Sequence, residues 1–208
     1  MNDPSVDIKI AVKNAAMSMP NILLPLSMSL GAAVIFMLCS FAFYWPSPEI
    51  AFRTDDSPVA WLSSAQLWAM AILLLRLWQE KALPRLMCIW LCLAMLGMAF
   101  DEQFMLHEHW KYHCVEWMAA CSYNWMKELP MLLVGLGGGV TGLILHRYFK
   151  HKNQRRLLWS AIAVGIFALY LRFMQQPADL LPYKAALLVL AEALFMGLLF
   201  SLPHQQKN

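Results

Sequence analysis

Residues 101–113 read Asp-Glu-Gln-Phe-Met-Leu-His-Glu-His-Trp-Lys-Tyr-His, the densest run of acid and imidazole groups in the 208-residue chain. Neutral imidazole and carboxylate ligate zinc, iron, manganese or copper, and the same groups act as general acids and bases. On one helix turning about 100° per residue, Glu102, His109, His113 and Glu116 fall within about 40° of a common line, joined by Met105. Asp101 and Glu108 form a second stripe about 100° away, and His107 points elsewhere. His109 and His113 then have the i, i+4 spacing with which two histidines grip one zinc in H-E-x-x-H helices. The expectation is a divalent transition metal, zinc or iron, held by Glu102, His109 and His113. Asp101 or Glu116 is then the general base, with His107 and Glu108 beside them. Such a metal would acidify a water for hydrolysis. The run matches no zincin signature, because His107-Glu108-His109 has the wrong offset. The ordinary alternative is a polar cap of His, Glu, Trp and Lys at the level of the lipid headgroups.

Glu192 is the second candidate, set in Leu187-Leu188-Val189-Leu190-Ala191-Glu192-Ala193-Leu194-Phe195. A carboxylate inside an apolar span is costly and is read as functional by default. Arg172 and the imidazoles near residue 107 are candidate companions, while Ser63, Ser64 and Gln66, early in the second span, are polar groups for an outer-leaflet pocket. A rise of about 1.5 Å per residue puts Glu192 ~15 Å below the start of its span and Glu102 ~6 Å below the end of its own. Direct contact between them therefore requires tilt. The ordinary alternative is a Glu hydrogen-bonded to a hydroxyl on another helix.

Other motifs carry less. Gly137-Gly138-Gly139-Val140-Thr141-Gly142 satisfies G-x-G-x-x-G, but residues 153–158 supply no acid to receive a ribose, and no nucleotide is expected. The pairs Gly135/Gly139 and Gly138/Gly142 have the small-xxx-small spacing that lets helices pack closely. The 15 Met residues are scattered without a Met-x-x-Met cluster, which suits gap filling better than copper binding. Cys39, Cys88 and Cys92 lie in apolar stretches. Cys114 and Cys121 are seven residues apart, so on a straight helix their Cα atoms would be ~10 Å apart. A disulfide between them needs a bend that brings them within about 7 Å, and a shared metal is the alternative.

These groups must be positioned by elements whose solvent is lipid. Hydrophobic residues make up 60% of the chain and charged ones 14%, and mean hydropathy is +0.51. Those figures exclude disorder, collagen, a coiled coil and an ordinary soluble globule. Backbone polar groups go unsatisfied in hydrocarbon unless they are paired within a segment, so apolar stretches of about 20 residues are read as helices. Six are expected, at 20–45, 58–78, 83–106, 129–149, 157–174 and 181–202, forming one all-α transmembrane domain over 1–208. This partition puts eleven of the 16 cations on one side. By the positive-inside rule that side, with both termini, is cytoplasmic, and the run 146–156 is an anchor near anionic headgroups rather than a nucleic-acid site. Residues 4–19 are expected at the membrane interface or as a short tail, with no cleavable leader.

The expected location is therefore the inner (plasma) membrane, multi-pass, with the acid/His cluster on the periplasmic face. Membrane lipid, and a protein partner in the membrane, are the expected companions. Three functions follow from these residues. The first is a metal-dependent enzyme acting on a lipid or lipid-linked substrate. The second is a small transporter or ion-handling protein using Glu192. The third is a non-catalytic subunit of a membrane complex, which suits the short loops.

Overall fold

A computed structural model of the chain describes residues 23–53, 57–149, 151–173 and 181–202. The segment 4–19 and the side chain of Arg172 lie outside the described residues. In chain order the helices are α1 (Leu23–Phe43), α2 (Ile50–Arg53), α3 (Pro58–Gln79), α4 (Arg85–Phe104), α5 (Leu106–Trp117), a 3₁₀ turn (Ala119–Ser122), α6 (Asn124–Lys127), α7 (Leu129–Tyr148), α8 (Lys152–Phe173) and α9 (Leu181–Phe200), with no strand among the described residues. Four of them, α1, α3, α4 and α7, are long and apolar enough to cross a membrane. Helices α8 and α9 cover the other two expected spans.

Local sequence sets the helix ends. The Ser57 hydroxyl accepts from the Ala60 N–H at 3.2 Å, and Pro58 follows at the first helical position, where its missing N–H is no loss. At the far end of α3, Lys81 has φ 54°. The Ala82 N–H donates to the Leu77 carbonyl at 3.0 Å and the Lys81 N–H to the Trp78 carbonyl at 3.1 Å. That is the six-to-one, five-to-two bonding of a Schellman cap, built here on Lys where Gly is usual. Pro84 then starts α4.

The six long helices do not contribute equally. Helix α9 is central, in contact with α1, α2, α3 and α8, while α3 and α4 form the most extensive pair. Leu67, Met70, Leu74 and Leu77 of α3 pack with Cys88, Leu91 and Met95 of α4 and with Leu198 and Leu199 of α9. A smaller core joins Ala33, Val59, Val189 and Ala193. At the α1–α9 crossing, a Cβ added to Gly197 would lie 3.0 Å from the Leu26 Cα, so the backbones approach closely only because residue 197 has no side chain. The Ser29 hydroxyl bonds the Ala193 carbonyl across the same crossing at 2.9 Å.

Helix α7 is peripheral and packs on α8. Of its glycines, Gly135 and Gly142 abut Leu169 and Ile162 of α8, whereas Gly137, Gly138 and Gly139 have open space around them. The small-xxx-small pairs of the sequence are thus split between a packed and an open face. Large apolar side chains such as Leu23, Ile35, Leu86 and Leu136 face outward. A protein dissolved in water would not expose such a surface; one dissolved in lipid does.

Candidate functional site

The expected helix through residues 101–116 is interrupted. Met105 takes the left-handed conformation, φ 51° and ψ 40°, and divides α4 from α5. This break corrects the single carboxylate–imidazole face read from the sequence, since Glu102 sits on one helix and His109, His113 and Glu116 on the other. Met105 caps α5 with no side-chain bond, and Asp101 takes over that role from one turn back. Its Oδ1 accepts from the His107 backbone N–H at 2.8 Å, and its Oδ2 lies 2.7 Å from His107 Nδ1. An ionised carboxylate only accepts, so the neutral imidazole carries its proton on Nδ1 and a lone pair on Nε2. The imidazole of His107 is buried. An Asp that fixes the tautomer and aim of a buried imidazole prepares it to take a proton or a ligand.

Deeper in the bundle, α3 turns Ser63, Ser64 and Gln66 inward, all buried. The Ser63 hydroxyl donates to Glu192 Oε1 at 2.8 Å. The Gln66 amide nitrogen, oriented toward its acceptors, lies 3.1 Å from Glu192 Oε2 and 3.2 Å from the Val189 carbonyl. The Ser64 hydroxyl bonds the Ala99 carbonyl of α4 at 3.4 Å. Both oxygens of the buried Glu192 are therefore held by donors from α3. Glu102 lies within electrostatic reach of Glu192. Helix α3 packs on both α4, which carries Glu102, and α9, which carries Glu192.

The remaining candidates are elsewhere on α5. His109 is exposed, and its ring centre lies 4.5 Å from that of His113 and 5.9 Å from that of Trp117. His113 Nδ1 is 3.4 Å from Glu116 Oε2, at the surface. Glu108 stands in the first turn. Glu102, His109 and His113 are not gathered into one ligand set. Among the described residues, no group of three or more His, Cys, Asp or Glu side chains is arranged to hold a metal ion.

Helix α5 is nonetheless firmly tied down. Cys114 and Cys121 form a disulfide with their Cα atoms 5.7 Å apart. The required bend is supplied by Met118, whose extended backbone ends α5 before the 3₁₀ turn. Lys111 Nζ lies 2.8 Å from Glu128 Oε1, and the Trp110 indole donates to the Met126 carbonyl at 3.1 Å. Glu128 is a site-supporting residue that sequence spacing did not mark, because its partner is 17 positions away on another helix.

Compared with protein-family models, curated proteins and solved structures, the chain matches none significantly.

Proposed function

We propose that this chain is a membrane-embedded ion-handling protein in which Glu192 takes up and releases a proton or small cation. The rim carrying Asp101, Glu102 and His107 forms the mouth of the path. One observation carries the reading: Glu192 is buried mid-helix, and both its oxygens are held by Ser63 and Gln66. A carboxylate buried in an apolar span is costly, and a proton or cation taken up there relieves that cost.

The membrane in this reading is the inner (plasma) membrane, crossed six times, with both termini on the cytoplasmic side. The excess of cations on one side of the six-span partition supports that orientation. So does the Cys114–Cys121 disulfide at the other end, since disulfides persist in oxidising compartments.

The test is flux in liposomes under an imposed pH gradient, followed with an internal pH dye, and repeated with sodium, potassium and divalent salts. Glu192→Gln is a gentle probe, because the Gln66 amide can turn to present its oxygen to the new amide. Flux is expected in the native protein and absent in Glu192→Gln; unchanged flux in the variant overturns the reading.

A second reading, hydrolysis of a lipid or lipid-linked substrate at the same rim, is favoured by the Asp101–His107 pair alone. Its metal-dependent form, with Asp101 or Glu116 as base, would require zinc or iron to draw together Glu102, His109 and His113, which lie on two helices divided at Met105. Stoichiometric metal in the purified protein, lost in Glu102→Ala and His109→Ala, supports it; an active metal-free protein removes it.

A further inference from the structure

Two pairs of residues meet where α3 packs on α9. Ser63 and Gln66 are three positions apart on α3, and Val189 and Glu192 are three apart on α9, so each pair shares one face of its helix. All four residues are buried. The amide end of Gln66 lies 3.1 Å from Glu192 Oε2 and 3.2 Å from the Val189 carbonyl oxygen, and the Ser63 hydroxyl lies 2.8 Å from Glu192 Oε1. With its nitrogen toward α9, the amide donates to both acceptors. A half-turn about the last side-chain bond, a soft two-fold torsion, exchanges nitrogen and oxygen in place. Gln66 then presents an oxygen beside those of Glu192, Ser63 and Val189.

Four oxygen-bearing groups in one dry place suit a hard cation, which takes oxygens in exchange for its hydration shell. Oxygens bonded to one ion at about 2.4 Å stand roughly 3.4 Å apart when they subtend a right angle. The separations of 3.1 and 3.2 Å need to widen only slightly to reach that spacing. Neither the Ser63 hydroxyl nor the Val189 carbonyl must give up its present bonds, because each oxygen has two lone pairs. A proton asks for less: one acceptor beside the carboxyl that carries it, a role the turned Gln66 fills without Val189.

Charge and size select among cations. Glu192 is the one charged member of the four, so it balances a single positive charge, and a divalent ion would leave an excess in low dielectric. Glu102 of α4 lies within electrostatic reach, which makes calcium the competitor to test. Potassium has longer bonds and asks for a wider ring of oxygens than these two helix faces offer.

We propose, resting on the reading of Glu192 as an ion site, that Ser63, Gln66, Glu192 and the Val189 carbonyl bind a dehydrated sodium ion, with the Gln66 amide turned to present its oxygen. The cargo is thereby narrowed from a proton or small cation to sodium, and Gln66 is the residue that sets the preference.

The experiment is equilibrium binding of radioactive sodium to the detergent-purified chain, with lithium, potassium and calcium chlorides as competitors. The native protein is expected to bind sodium saturably in the millimolar range. Lithium and unlabelled sodium should displace it; potassium and calcium at the same concentration should not. Glu192→Gln should abolish binding. Gln66→Met, similar in size but without an oxygen, should weaken it by about tenfold, the worth of one polar contact to a charge, and Ser63→Ala by less. Where a variant does not fold, the competition series on the native protein decides. Absence of saturable binding in the native protein overturns the sodium site, as does binding that survives Glu192→Gln or that potassium or calcium displaces as well as sodium does. Proton flux that Glu192→Gln abolishes, in a protein that binds no sodium, removes the sodium site and leaves the ion-handling role of Glu192 standing. Sodium binding without flux under any gradient keeps the site and removes the transport.

Discussion

Asp101 performs two tasks with its two oxygens, and they are separable. Oδ1 caps α5 through the His107 N–H, and Oδ2 sets the proton on His107 Nδ1. Asn is as good an N-terminal cap as Asp, so Asp101→Asn should change stability by less than about 1 kcal/mol, whereas Asp101→Ala should lower it by about that amount. The amide, however, can present an N–H to Nδ1 where the carboxylate presented only acceptors. The imidazole proton is then expected on Nε2, and the lone pair that faces away from Asp101 is lost. Imidazole ¹⁵N shifts of His107 check this directly, and a tautomer unchanged in Asp101→Asn would refute the assignment. Flux in the same variant is expected to fall with little loss of thermal stability. The residues of this pair were legible in the sequence as chemistry, but their geometry was not. It depends on Met105 at positive φ, a conformation that side chains other than Gly rarely take and that no spacing rule anticipates. For the same reason the stripe joining Glu102 to His109 and His113 does not survive in the structure. Glu192 fared differently: its cost in a span was readable from one helix, while its donors, Ser63 and Gln66, come from a helix more than a hundred residues earlier.

Among the helices, the glycines separate close packing from open surface. A methyl group at Gly197 meets the Leu26 Cα at 3.0 Å, and backbone cannot rotate away as a side-chain tip can. Gly197→Ala must therefore push α1 from α9 and strain the Ser29–Ala193 bond, an overpacking cost of about 1–3 kcal/mol. At Gly138 the same substitution meets nothing within 4 Å, so only the better helix propensity of Ala acts, worth up to about 1 kcal/mol in the opposite direction. Thermal unfolding in detergent should show the two midpoints moving apart, down for Gly197→Ala and level or up for Gly138→Ala. A fall at Gly138 would mean that the open face of α7 is covered by another helix in the purified protein. The apolar stretch 129–149 is legible in the sequence as a helix, and the structure has α7 there. Small-residue spacing does not say which of the glycines face a neighbour, because that depends on where α8 returns.

For the whole molecule, the all-helical class was the most legible feature, since an interior and an exterior that are both apolar leave the backbone no partner but itself. Direction across the membrane is set by weaker forces, and here two unrelated ones act together. In the proposed six-span arrangement, eleven of the 16 cations fall on the side of the α3–α4 and α7–α8 turns. In the same proposed arrangement the Cys114–Cys121 disulfide lies on the opposite side, the one proposed to be oxidising. Cysteine labelling in intact cells tests both with a membrane-impermeant maleimide in a Cys39→Ser background, because Cys39 is the exposed free thiol, whereas Cys114 and Cys121 are bridged and Cys88 and Cys92 are buried. Tyr112 on α5 and Asn153 at the start of α8 are exposed and lie at opposite ends. Tyr112→Cys is expected to label in intact cells, and Asn153→Cys only after the membrane is permeabilised. The reverse pattern would invert the protein and turn the Asp101–His107 rim toward the cytoplasm. Equal labelling at both positions would mean that α4 does not cross the bilayer. In that case Glu192 would have water on both sides, and the cost that motivates its role as an ion site would disappear.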